Sequence, residues 1–76
     1  MGKRYEDWKP GDTVVCLKDN STSATVKKGQ RLTLKSRLIN DSYGMYFEVL
    51  SNKITWAVYA HDLIKDTKLA RALYDL

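Results

Sequence analysis

Residues 45–63, MYFEVLSNKITWAVYAHDL, constrain the fold more tightly than any other stretch of the chain. Side chains alternate between the two faces of a strand, so the pairing register decides which residues share a face. With Asn52 and Lys53 as a two-residue loop, Val49 stands opposite Trp56, Phe47 opposite Val58 and Met45 opposite Ala60, all on one face. The other face pairs Leu50 with Thr55, Glu48 with Ala57 and Tyr46 with Tyr59. A three-residue loop would set Phe47 against Ala57 and Glu48 against Trp56, mixing the faces, so the hydrophobic pattern selects the first register. Such a hairpin asks both loop residues for φ > 0, a demand that Asn-Lys meets less well than Asn-Gly.

The rest of the chain reads as strands before this hairpin and a cap after it. Residues 1–9 form a polar lead-in whose Tyr5 and Trp8 are expected to dock on the domain. Pro10-Gly11-Asp12 turns the chain into a strand over Thr13 to Leu17, and the polar, aperiodic residues 18–25 (KDNSTSAT) read as a loop. After a turn at Val26-Lys27-Lys28-Gly29, the stretch Gln30 to Leu38 alternates. Leu32, Leu34 and Leu38 face one way, and Arg31, Thr33, Lys35 and Arg37 the other. If Asp41 and Ser42 are central in the turn cluster NDSYG, Leu34 pairs with Val49 and Leu38 with Met45, so that three strands share an apolar face. Gly44 leaves room there for a bulge or a longer loop.

Beyond Tyr59 the alternation breaks at Ala60-His61-Asp62-Leu63, read as a 3₁₀ turn leading into a last strand, Leu63 to Lys65. Asp66 or Thr67 can cap a helix over Lys68 to Tyr74, with Leu69, Ala72, Leu73 and Leu76 on one side. So short a helix must pack on the barrel or on a second copy. The expectation is a mainly β chain: a lead-in at 1–9, a five-stranded barrel at 10–66 with a 3₁₀ turn before its last strand, and a helical cap at 67–76.

Composition excludes several classes. No apolar run approaches the roughly 18 residues of a membrane span, and MGKRYEDWKPGD lacks the apolar core of a secretory leader. The single Cys16 allows no internal disulfide and, set between Val15 and Leu17, reads as a buried thiol in a cytoplasmic protein. One Cys and one His cannot supply three or four metal ligands, and no glycine cluster cradles a phosphate, so no metal or cofactor is expected. His61, beside Asp62 in sequence only, reads as a surface residue, and no catalytic group is assigned.

Four segments occur in order: Gly11-Asp12-Thr13-Val14-Val15-Cys16, then Val26-Lys27-Lys28-Gly29 with Leu32-Thr33-Leu34, then Tyr46-Phe47-Glu48-Val49, and last Trp56-Ala57-Val58-Tyr59-Ala60-His61-Asp62-Leu63. Over about residues 10–65 this order resembles the small SH3-like proteins of bacteriophages, in which "GD-x-VVC", "KG-x-x-Y-T-V" and "W-Y-x-A-x-x-F" segments follow one another. Leu32 departs from a usual aromatic and Leu63 from a usual Phe, both swaps that a core accommodates. The resemblance implies an SH3-like barrel and a viral origin, hence the cytoplasm of an infected bacterium, and no activity. The terminal Ala72-Leu73-Tyr74-Asp75-Leu76 also resembles the ALYDY motif that opens eukaryotic SH3 domains; at this position it reads as a helical end.

Chaining the two registers puts Arg37 beside Tyr46 and Tyr46 beside Tyr59 on the outward face, with Lys35 beside Glu48 and Ala57 in the next row. Arg37, Tyr46, Tyr59 and Lys35 are therefore the expected contact residues for a host protein that the chain inhibits or redirects. Cover by Tyr5, Trp8 or the C-terminal helix is the competing expectation for that face. Trp56 is placed in the core, with an exposed anchor as the alternative. Nucleic acid is the second partner considered: residues 1–38 hold nine Lys/Arg against four acids, and the acid-free run Val26 to Ile39 offers Lys27, Lys28, Arg31, Lys35 and Arg37. A third reading is an assembly protein, monomeric or homodimeric through the C-terminal helix.

Overall fold

The computed structural model describes residues 5–19 and 26–76; most of the 18–25 loop lies outside the described residues. The chain is mainly β. Its strands are β1 (Thr13–Cys16), β2 (Arg31–Leu34), β3 (Ile39–Asp41), β4 (Gly44–Ser51), β5 (Ile54–Tyr59) and β6 (Leu63–Lys65). They form one curled antiparallel half-barrel sheet, followed by one short helix, α1 (Lys68–Leu73). The sheet path runs β3-β4-β2-β1-β6, with β5 paired to β4.

The β4–β5 hairpin has the register that its alternation dictates: Tyr46 pairs with Tyr59, Phe47 with Val58, Glu48 with Ala57, Val49 with Trp56 and Leu50 with Thr55. Asn52 and Lys53 hold φ of 52° and 66°, the left-handed values that match a two-residue turn to the twist of its strands. The 3₁₀ turn at Ala60–Asp62 and the strand after it fall where the alternation stops.

The expected strand from Gln30 to Leu38 is broken. β2 ends at Leu34, still opposite Val49, but β3 pairs Ile39 with Tyr46 and Asn40 with Met45. Two extra residues are therefore absorbed between the strands. Lys35 N–H still donates to the Glu48 carbonyl at 2.8 Å; Glu48 N–H then donates to Ser36 Oγ at 3.0 Å, and that hydroxyl donates to the Arg37 carbonyl at 2.9 Å. A side chain thus replaces a ladder acceptor and lets the backbone bend. The turn moves with it: Ser42 and Tyr43 are its central residues, and Asn40 rather than Leu38 faces Met45. Met45, expected inside, is 45% exposed because β5 ends at Tyr59 and Ala60 leaves the ladder for the 3₁₀ turn.

The core holds Val14, Cys16, Val26, Leu32, Leu34, Phe47, Val49, Val58, Ala60 and Leu63, with Leu38 and Trp56 packed at its margin. The lead-in completes it. Trp8 is buried and stacks on Phe47 at 5.1 Å, and Tyr5 meets Trp8 edge-on at 5.1 Å. Trp56 is half-buried, between the two placements considered for it.

Val15 points away from Val14 and Cys16, yet it too is buried, so the outer face of β1 is covered. Helix α1 is tied to β2 through ion pairs. Thr67 Oγ1 caps it by accepting from Ala70 N–H at 3.0 Å, and Ala70 is its buried residue. Arg71 Nε lies 2.8 Å from one oxygen of Asp66, whose other oxygen lies 2.8 Å from Nε of Arg31, the β2 residue opposite Val15. The apolar side, expected to pack on the barrel or on a second copy, does not pack on the barrel: Leu69 and Leu73 are 68% and 70% exposed.

Candidate functional site

The outward face of β4 and β5 carries Tyr46, Glu48 and Leu50 against Tyr59, Ala57 and Thr55. Tyr46 and Tyr59 stand side by side as their pairing requires, and among the described residues neither those of the lead-in nor α1 bury Tyr59, which is half exposed. Arg37 does not join them. The two-residue shift gives its place beside Tyr46 to Ile39 and leaves Arg37 exposed in the bend. Lys35 remains in the Glu48 row, but its Nζ reaches across to donate to Thr55 Oγ1 at 3.0 Å.

Tyr43 takes a position that the alternation could not assign. It sits on the β3–β4 turn, 82% exposed, and with Tyr46, Ala57 and Tyr59 lines a concavity of about 330 Å³. A second concavity of about 300 Å³ adjoins it, between Tyr5, Met45, Tyr59 and His61, and shares Tyr43 and Tyr59. His61 stacks on Tyr59 with ring centres 5.5 Å apart and lies 3.3 Å from Asp62.

Asp41 organises this corner. One carboxylate oxygen accepts the Tyr43 N–H at 2.8 Å, which sets the turn, and the other accepts the Tyr46 hydroxyl at 3.2 Å. Desolvation, together with that carboxylate, pushes the Tyr46 phenol up. Gly44, at φ 118°, closes the turn where the Tyr59 ring passes; a Cβ there would lie 3.7 Å from Tyr59 Cε1. The clue to Tyr43 in the sequence was an aromatic inside a polar turn; the role of Asp41 depends on the shifted register.

The basic residues are strung along the length of β2 and its two ends. Lys27 and Lys28 lie on the turn before β2 and Arg37 lies beyond its other end, while Arg31 is engaged by Asp66 and Lys35 by Thr55. Cys16 is buried, its thiol donating to the Lys18 carbonyl at 2.8 Å, and burial pushes its pKa up. Among the described residues no three His, Cys, Asp or Glu side chains come together, and no helix is long and apolar enough to cross a membrane. Comparison with family models, curated proteins and solved structures finds no match to the chain.

Proposed function

We propose that this chain is an SH3-like barrel of bacteriophage type that docks on a host protein through its tyrosine face and thereby inhibits or redirects that protein. The fold reading is supported by the path from β5 through β4, the broken second strand and β1 to β6, with a 3₁₀ turn before the last strand. The single observation that carries the docking reading is the cluster of Tyr43, Tyr46 and Tyr59 around one open concavity. Aromatic side chains that lose exposed area on binding dominate interface energies, and rings held by a sheet and a tight turn lose little entropy when they do so. A nucleic-acid partner is less well supported, since Asp66 offsets the charge of Arg31, one of the five cations that reading needs.

Affinity capture from bacterial lysate tests the docking reading, with wild type beside a Tyr46→Ala/Tyr59→Ala variant and with a nuclease-treated arm. The expected result is a stoichiometric protein that survives nuclease and is lost with the variant. Identical recovery by both chains, or loss on nuclease treatment, counts against it. A homodimer is the second reading, on the strength of the outward Leu69 and Leu73. Light scattering of the chain with and without residues 67–76 tests it, and a mass equal to the monomer in both removes it.

A further inference from the structure

We infer that the tyrosine-lined concavity receives an arginine side chain of the protein partner, an assignment that rests on the docking reading above. Three rings and the small Ala57 line a gap of about 330 Å³, at the small end of ligand sites. His61 stacks on one face of Tyr59, and no ring stacking joins the three tyrosines to one another among the described residues. Ring faces carry negative quadrupole density and attract cations.

The charges around the gap agree. Asp41 sits 3.2 Å from the Tyr46 hydroxyl, and Glu48 stands exposed in the row next to Tyr46, directly opposite Ala57. Lys35, which shares the Glu48 row, reaches away from Tyr46 to Thr55, two positions along β5 from Ala57. Two carboxylates, Asp41 and Glu48, therefore stand next to the tyrosines on a chain whose net charge is +4. Arginine fits this setting better than lysine. Its guanidinium is planar, sheds water more easily, stacks on rings and can meet a carboxylate with two N–H groups at once.

NMR titration of the isotope-labelled full chain tests the assignment, with N-acetyl-arginine amide as probe and N-acetyl-citrulline amide as its uncharged isostere. The expected result is saturable shifts at Tyr43, Tyr46, Ala57 and Tyr59, at least threefold tighter for arginine than for citrulline. Asp41→Asn should bring that preference below twofold. Tyr59→Leu should weaken arginine binding at least threefold, with dispersed spectra showing that both variants fold. Equal affinity for the two probes, or shifts elsewhere on the surface, overturns the assignment. If arginine fails while the Tyr46/Tyr59 variant still loses its captured protein, the docking face stands and only the arginine is wrong. If arginine binds as expected while capture is identical for both chains, the docking reading fails instead.

Discussion

Lys53 shows how one residue can be placed by its neighbours against its own preference. A side chain with a Cβ at φ 66° is strained, yet the hairpin register requires a two-residue loop and Lys53 supplies half of it. Lys53→Gly should raise stability by about 0.5–1 kcal/mol, read from denaturant midpoints at unchanged slope. Asp12 makes a pH prediction. The hydrogen bond from Lys65 Nζ at 2.9 Å, then the Lys9 N–H at 3.0 Å, hold its carboxyl below the usual carboxylate range. A carboxyl whose folded pKa is depressed contributes stability above its unfolded value of about 3.9 and loses it as pH falls through the lower folded value. Asp12→Asn should therefore flatten the acid limb of stability below about pH 4 relative to wild type, leaving the remaining carboxyls to titrate.

Among elements, α1 depends most on distant residues. Six residues cannot hold a helix alone, and only Ala70 of this one is buried. The Arg31–Asp66–Arg71 bridge ties it to β2 across the covered face of β1. Asp66→Ala should cost about 1 kcal/mol and lower hydrogen-exchange protection of the α1 amides, with little change in β4 and β5. Unchanged protection in α1 would show that the bridge does not hold the helix. The break between β2 and β3 is the counterpart in the sheet. It was invisible to alternation because an offset of two residues returns every side chain to the same face. Leu38 still reaches the core margin, and Leu34 keeps its partner Val49. Only the neighbours across the break change, and with them the contact row that would have held Arg37.

At the scale of the whole molecule, a 76-residue chain has little core to spare, and the lead-in contributes Trp8 to it, with Tyr5 packed alongside. Trp8 is 4% exposed and stacks on Phe47, so it closes the end of the half-barrel from outside the strands. Trp8→Ala should cost about 3–5 kcal/mol, most of what a domain of this size possesses, and appear as a collapse of the thermal transition. A loss below about 1 kcal/mol would mean that the ring is not part of the core.

The hairpin register, the 3₁₀ turn before β6, a helix cap at Asp66 or Thr67 and the buried Cys16 were all legible in the residues, because each depends on neighbours close in sequence or on strict alternation. The same logic put Tyr46 beside Tyr59 but could not find Tyr43 or exclude Arg37. Those two depend on how many residues bend out between β2 and β3, which a Ser36 hydroxyl decides by taking the Glu48 N–H. The outward Leu69 and Leu73 likewise could not be read from the helix's own amphipathic stripe, since Asp66 ties α1 both to its own Arg71 and to the distant Arg31. Local pattern determines parity and turn position; the count of residues in a bend, and the side of a helix that faces inward, are chosen only when distant groups meet.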